Sequence, residues 1–253
     1  MLASSCEISK IRDGDLIFFM RYSALNGNEF ENAVCSVGHT PNVFHVGMFC
    51  ANRQSIVHTV PADGVICEPI DDTVRRIDAD HVDVFTVRNV SDTIAENASE
   101  WAMSRVGCKY NDIFSPDSLN SDGQEAYYCC ELMIKAYGKC GIKDLCPEHQ
   151  LNFADSKGVI LPFWIEYYKV RNSLIPQGQK GSHPSKLITS KHLTRRFSKT
   201  FQRTMMKRFV VPQLLDQTLH FINGSRIAAA QTARTFDVIQ PRSGSFVFYS
   251  LFF

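Results

Sequence analysis

Residues 126–138 read Ala126-Tyr127-Tyr128-Cys129-Cys130-Glu131-Leu132-Met133-Ile134-Lys135-Ala136-Tyr137-Gly138 and place a cysteine at the start of an apolar run that ends in glycine. This pattern predicts a helix that begins near Cys129 and ends at Gly138. The first turn of a helix carries partial positive charge, which favours the thiolate form of a cysteine there. Cys129 is therefore a candidate nucleophile, although free cysteines are also common as small buried core residues.

Two histidines upstream lie on segments that read as strands. His45 follows Phe44 in an apolar run and precedes Gly47, whose missing side chain leaves space beside the imidazole. A cysteine and a distant histidine are the minimum requirement for thiol-based acyl transfer. His58 comes thirteen residues later, and alternation on an adjacent strand would place it beside His45, where it would orient the ring. Glu68 is the carboxylate alternative for that orienting role.

The composition is that of an ordinary soluble globular protein. The chain has 253 residues, of which 44% are hydrophobic and 21% are charged. Nine cysteines form an odd number and include no C-x-x-C pair, which favours reduced thiols over a disulfide framework, a zinc site or a redox dithiol. We find no signal-like segment and no apolar run near the ~20 residues of a membrane span, which predicts a cytoplasmic protein.

The pattern of short strands and separate helices predicts the α+β class. A turn at Asp13-Gly14-Asp15 precedes a buried strand over 16–20, and three further strands are expected over 44–50, 55–59 and 82–87. Short links between them favour an antiparallel sheet. We expect a helix over 94–106 after the capping residue Ser91, a long loop over 21–42, and a linker or surface loop over 176–186. The structure of 163–168 is left open.

The charge of the chain is divided unevenly. Residues 1–166 contain 13 Lys and Arg against 24 Asp and Glu, whereas 167–253 contain 14 against 2.

Apolar residues recur every four positions from Leu193 to Phe209, among seven basic residues over 191–208. This pattern predicts an amphipathic helix, and its charge predicts contact with an anionic membrane surface through 191–209. A solvated or core-packed helix is the alternative. We expect no nucleic-acid partner, because the excess of basic residues is confined to the C-terminal part of the chain and no nucleic-acid motif accompanies it.

Several short motifs, in order, resemble one family of enzymes. They are Gly14-Asp15-Leu16-Ile17-Phe18, Phe44-His45-Val46-Gly47-Met48, Val57-His58 before Gly64-Val65, Tyr110-Asn111, and Tyr128-Cys129-Cys130-Glu131-Leu132-Met133. This order resembles the YiiX-like permuted papain-like amidases of the NlpC clan, whose relatives include the lecithin retinol acyltransferase-like enzymes. The resemblance implies a circularly permuted papain-like fold in which histidine precedes cysteine, with a central antiparallel sheet and the nucleophile at a helix N-terminus.

The resemblance also implies a role for each candidate residue. It makes Cys129 the nucleophile, His45 the general base and His58 the third residue, with Glu68 still open for that third position. Cys130 stands where the family often has serine, so this second thiol is the alternative nucleophile. No metal or organic cofactor is implied.

The organisation and function follow from the same resemblance. We expect a cysteine hydrolase domain over 1–193 and a basic amphipathic extension over 194–253. The predicted activity is that of an amidase or peptidase that acts through a thioester acyl-enzyme. A lipid acyltransferase or phospholipase-like enzyme at membranes, and an inactive binding module on the same scaffold, are the alternatives. Peptide, isopeptide, lipid amide and ester substrates all stay open.

Overall fold

A six-stranded antiparallel sheet forms the centre of the computed structural model, which describes residues 10–22, 29–38 and 42–201. The strand order is β4-β3-β2-β1-β5-β8. The strands are β1 (Leu16–Met20), β2 (Val43–Cys50), β3 (Ser55–Val60), β4 (Gly64–Pro69), β5 (His81–Val87) and β8 (Leu193–Thr200). Two further short strands, β6 (Lys109–Tyr110) and β7 (Ala126–Tyr127), pair in parallel.

Helices pack on the sheet and around its end. Within the described residues they are α1 (Glu29–Ser36), α2 (Ile70–Arg76), α3 (Asp92–Met103), α4 (Cys129–Lys139), α5 (Pro162–Lys169) and α6 (Pro184–Leu187). Helices α3 and α4 contact each other and β2, whereas α2 contacts β3 and β4. The chain is therefore of mixed α+β class, as the sequence predicts.

The central strands are apolar at consecutive positions because the sheet is covered on both faces. Leu16 and Phe18 of β1 belong to one core cluster, together with the buried residues of α4, whereas Ile17 and Phe19 belong to a second cluster. All four of these side chains are inaccessible to solvent. An antiparallel sheet with one wet face would alternate apolar and polar residues instead.

Most of the predicted elements are confirmed. The four predicted strands correspond to β1, β2, β3 and β5, and the helix that begins at Cys129 is α4. Ser91 caps α3, since its hydroxyl accepts a hydrogen bond from the Ile94 N–H at 3.2 Å. The loop predicted over 21–42 is wrong in part, because α1 occupies 29–36. Its apolar residues Phe30, Ala33 and Val34 pack against the cluster that contains Trp164 of α5.

The amphipathic helix predicted from Leu193 is wrong over the described residues. Residues 193–200 form β8, which pairs antiparallel with β5, so the main sheet continues past the predicted domain boundary at 193/194. A spacing of four residues, as between Leu193 and Phe197, fits the two-residue period of a strand as well as the turn of a helix. Arg195 and Arg196 form ion pairs with Asp83 and Asp15, both at 3.6 Å. Residues 202–209 and the remainder of the predicted extension, to residue 253, lie outside the described residues.

The segment predicted as a linker over 176–186 is instead partly built into the fold. It contains the first turn of α6, and Ser182, Pro184 and Ser185 are buried. Within the described residues we find no helix of the length and apolarity that a membrane crossing requires.

At Gly64, the first residue of β4, the backbone of the segment that leads to β6 approaches closely. Its φ is +73°, and an added Cβ would lie 2.1 Å from the Cys108 carbonyl oxygen, whereas Gly107, at φ +96°, has open space around it. We expect Gly107→Ala to lower the free energy of unfolding by about 1 kcal/mol through backbone strain. Gly64→Ala adds overpacking of the backbone and costs about 3 kcal/mol in total. Urea denaturation measures both, and equal losses would contradict the close approach.

Candidate active site

Cys129 lies in the first turn of α4, shortly after the short strand β7, which hydrogen bonds hold in place. The carbonyl of Tyr127 in β7 accepts hydrogen bonds from the Thr59 hydroxyl at 3.0 Å and from the Asn111 N–H at 3.1 Å. The chain then turns at Tyr128, and the helix begins at Cys129. Cys129 keeps 9% of its surface exposed, whereas Cys130 keeps none. Of the two adjacent thiols, Cys129 is the one that an external molecule reaches.

His45 and His58 face each other from neighbouring strands. Their rings meet edge to face, with 2.9 Å between His45 Nε2 and His58 Nδ1. Gly47 makes this contact possible: a Cβ there would lie 2.5 Å from the Ile56 side chain and 3.1 Å from the Cβ of His58. The two-residue period of β2 and β3 therefore places both imidazoles on the same face, as the sequence predicts.

The chain of contacts continues from His58 to the protein surface. His58 Nε2 lies 3.1 Å from Glu68 Oε1, and Glu68 accepts hydrogen bonds from Arg76 Nε at 3.0 and 3.1 Å. Arg76 also bonds Asp63 at 2.8 Å. Glu68 thus contacts His58 and not His45. The sequence offered His58 and Glu68 as alternatives for one role, whereas the structure arranges them in series.

The contacts define which nitrogen of each ring carries a proton. Burial alone would raise the pKa of Glu68, but hydrogen bonds from His58 and Arg76 hold it below its ordinary value, so Glu68 is ionised at neutral pH. An ionised carboxylate only accepts, which places a proton on His58 Nε2. Burial lowers the pKa of His58 to about 4, so its Nδ1 is free to accept from the N–H of His45 Nε2. The Nδ1 of His45 is left for Cys129.

Cys129 differs electrostatically from the other described cysteines. A hydrogen bond from Cys130 and one with the His45 imidazole hold the pKa of the Cys129 thiol well below its ordinary value, against the opposing effect of burial. Its place at the start of α4 acts in the same direction. Burial raises the pKa of Cys130. It also raises the pKa of the remaining described cysteines, Cys35, Cys50, Cys67, Cys108, Cys140 and Cys146.

A buried carboxylate fixes the start of α4, and sequence analysis missed it. Glu131 is 6% exposed and accepts hydrogen bonds from the Asn111 amide at 2.9 Å and the Ser118 hydroxyl at 2.6 Å. Lys135 forms an ion pair with it at 3.3 Å. Burial raises the pKa of Glu131 despite these partners. A glutamate at the third position of a helix commonly accepts a hydrogen bond from the N–H of the residue before the helix. The place of Glu131 two residues after Cys129 was therefore the available signal in the sequence.

Cys129 and His45 open onto one pocket of about 90 Å³. Much of its wall is aromatic or aliphatic, and it includes Phe30, Phe114, Phe153 and Trp164. His149 and His183 also line it, with ring centroids 6.2 Å apart, although the sequence gave neither residue a role. Within the described residues, no group of three or more His, Cys, Asp or Glu side chains is arranged to hold a metal ion.

Comparison with known proteins identifies a family and solved structures of similar fold. Residues 10–195 match the model of the family described as permuted papain-like amidase enzyme, YaeF/YiiX, C92 family. The chain is also similar to a crystal structure described as the metalloprotein yiiX from Escherichia coli O157:H7, with a TM-score of 0.57 and 19% identity. That similarity covers 75% of this chain and 98% of the other. Comparison with curated proteins gave no significant match.

The neutral, buried state of His58 predicts a pH dependence of stability. Below pH 6.5 the unfolded chain binds a proton at His58 that the folded chain does not bind until about pH 4. The free energy of unfolding therefore falls as the pH is lowered from 6.5 towards 4, by about 3 kcal/mol from this residue. The contribution is fully present above pH 6.5.

Urea denaturation of the natural protein and of His58→Gln between pH 4.5 and 7 measures this dependence. We expect the stability of the natural protein to decline more steeply towards low pH than that of the variant, which lacks the titrating group. Parallel curves for the two proteins would show that His58 is not held neutral by burial.

Proposed function

The chain belongs to the permuted papain-like amidase family, and from that premise we propose that it is a cysteine-dependent amidase that forms a thioester on Cys129. The family is one of papain-like hydrolases. The observation that supports the finer assignment is the convergence of the Cys129 thiol and the His45 imidazole in one pocket, backed by His58 and Glu68.

The proposed reaction begins with a proton on His45 and a thiolate on Cys129. The sulfur attacks the carbonyl carbon of an amide, and the backbone N–H of Cys129 donates to the developing oxyanion, because the first N–H groups of a helix lack intrahelical partners. When the C–N bond breaks, its electron pair goes to nitrogen, which takes the proton from His45. The products of this step are a free amine and a thioester.

Water completes the cycle. His45, now neutral, takes a proton from a water molecule whose oxygen attacks the thioester carbonyl. The C–S bond then breaks, which regenerates the thiolate and releases a carboxylic acid. The net change is addition of one water across the amide bond, without oxidation or reduction. An amine or alcohol in place of water would turn the same cycle into acyl transfer.

His58 and Glu68 act on His45 in this proposal as positioning residues. Glu68 keeps the His58 proton on Nε2, so that His58 Nδ1 accepts from His45 and fixes the plane of its ring. The arrangement corresponds to a nucleophile, a base and an orienting group, with a second orienting group behind the first. A complete series of this kind favours an active enzyme over a binding module that has lost its chemistry.

Contact with an anionic membrane through 191–209 stays a prediction. Of the seven basic side chains in that segment, Arg195, Arg196 and Lys199 belong to β8, and the two arginines form ion pairs with Asp83 and Asp15, which leaves less positive charge for a lipid surface. We therefore favour amide hydrolysis over lipid chemistry at a membrane.

Replacement of the two adjacent cysteines distinguishes their roles. We expect Cys129→Ala to lower the rate of amide hydrolysis at least about 10³-fold, because the attacking sulfur is lost. Cys130→Ala is the matched control and retains activity within about tenfold, since its buried thiol only donates to Cys129. Mass spectrometry of the intact protein during turnover should detect the added acyl group in the natural protein and in Cys130→Ala, but not in Cys129→Ala. An acyl adduct that survives in Cys129→Ala and is lost in Cys130→Ala would assign the nucleophile to the second thiol.

A further inference from the structure

The wall of the Cys129 pocket offers a substrate mainly apolar contacts. Besides the aromatic rings already named, the aliphatic side chains of Val34, Val60, Ile77 and Leu151 line it. An apolar wall binds an apolar group by removing both surfaces from water, and it disfavours a charged group that would lose its hydration there.

The charged and polar side chains of the described wall, other than the reacting pair, already have protein partners. Glu31 forms an ion pair with Arg21 at 2.7 Å. The Thr59 hydroxyl donates to the Tyr127 carbonyl, and the Ser182 hydroxyl donates to the Tyr128 hydroxyl at 3.0 Å. The Asn152 side-chain oxygen accepts from the Ala154 N–H at 3.1 Å, His183 Nε2 donates to the Val34 carbonyl at 3.1 Å, and the His149 ring packs against that of His183. These groups are committed to the fold, so the described part of the wall does not present an unpaired cation or carboxylate to a substrate.

Phe114 occupies this wall in a backbone conformation that a bulky residue rarely adopts. Its φ is +53°, in the left-handed region that favours glycine. Its ring lies 5.1 Å from that of Tyr128, next to the nucleophile, and 6.2 Å from that of Trp164. Strained positions of this kind persist only where surrounding structure holds them, and they are concentrated at functional sites.

Asn111 holds the turn that carries Phe114. Its side-chain oxygen accepts from the Ser115 N–H at 2.9 Å, and its amide donates to the Ser115 carbonyl at 2.8 Å and to Glu131 at 2.9 Å. The Phe114 N–H closes the turn on the Asn111 carbonyl at 3.4 Å. Asn111 is fully buried, so the same residue anchors both the helix of the nucleophile and the turn beneath the phenyl ring.

The ring contacts indicate which half of the substrate meets Phe114. His45, which delivers the proton to the leaving amine, packs against Phe19 and His58. Phe114 instead packs against Tyr128, the residue that precedes the reacting Cys129. Because the leaving amine is expected near His45, which protonates it, the acyl group is expected at the part of the wall that contains Phe114.

We propose that the substrate carries a compact apolar acyl group of about four to six carbon atoms and that Phe114 sets its size. The proposal rests on the proposed amidase function. The pocket volume is about 90 Å³, and an apolar cavity of about 150 Å³ in another protein binds benzene. The smaller volume here fits a short aliphatic acyl group, and neither a single-ring acyl group nor a long acyl chain fits within it.

Hydrolysis of a series of acyl amides of one fluorogenic aromatic amine tests the proposal. The acyl groups are acetyl, butyryl, hexanoyl, dodecanoyl and succinyl, the last being a charged group of the same chain length as butyryl. We expect kcat/KM for butyryl or hexanoyl to exceed that for acetyl by about tenfold, since each buried methylene adds several-fold. Dodecanoyl and succinyl should fall at least about tenfold below the best member.

Comparison of Phe114→Gly with Phe163→Ala distinguishes the effect of a ring that lines the pocket from that of a ring elsewhere in the aromatic cluster. Glycine suits the φ of residue 114 and removes the ring, so we expect the ratio of kcat/KM for dodecanoyl to that for butyryl to rise at least about tenfold. Phe163 packs in the same cluster, against Phe30 and Trp164, but does not line the pocket, and its variant should keep the ratio of the natural protein.

The outcomes distinguish this inference from the function on which it rests. Measurable hydrolysis at equal rates across the acyl series would overturn the acyl-pocket proposal and leave the amidase intact. A ratio that changes equally in Phe163→Ala and Phe114→Gly would remove Phe114 as the determinant of size. Absence of hydrolysis for every member, together with absence of any acyl adduct on Cys129, would overturn both.

Discussion

Two imidazoles lie 2.9 Å apart between β2 and β3, and the rest of the site depends on that contact. His58 is fully buried, so it stays neutral and must find a partner at each nitrogen. The Nε2–H of His58 donates to Glu68 on one side, which leaves His58 Nδ1 to accept a hydrogen bond from His45. The space for this arrangement exists because residue 47 is glycine. A fold requirement in the sheet thus determines how the base faces Cys129.

The electrostatics of the thiols follow from the same geometry. Burial makes a cysteine a weaker acid, and the pKa values of Cys35, Cys50 and Cys146 are accordingly raised to about 11, 12 and 11. Cys129 is also buried, but hydrogen bonds from Cys130 and His45 reverse the direction of its shift. Exposure of only 9% limits access to molecules that enter the pocket. The hydrogen bonds of Cys129 therefore make its thiol reactive, and its small exposed surface restricts which molecules reach it.

Sequence patterns predict those parts of this structure that depend on local order. The glycine after His45, the spacing to His58 and the helix start at Cys129 are local features, and the structure brings the three candidate residues together. The series from His58 to Glu68 depends on the register between β3 and β4, which no short motif contains. β8 was mistaken for a helix because a four-residue spacing satisfies both periods. The position of Phe114 depends on the buried Asn111, which bonds not only the nearby Ser115 but also Glu131, 20 residues further along the chain.

The most direct test of this account is the pH dependence of cysteine alkylation by iodoacetamide, resolved by peptide mapping. Among the described cysteines, we expect Cys129 alone to be alkylated rapidly at pH 6, below the ordinary thiol pKa of about 8.5. His45→Gln should move the midpoint for Cys129 to higher pH and leave the other sites unchanged. A Cys129 that reacts only above pH 8.5, or no faster than Cys130, would contradict the claim that His45 activates it.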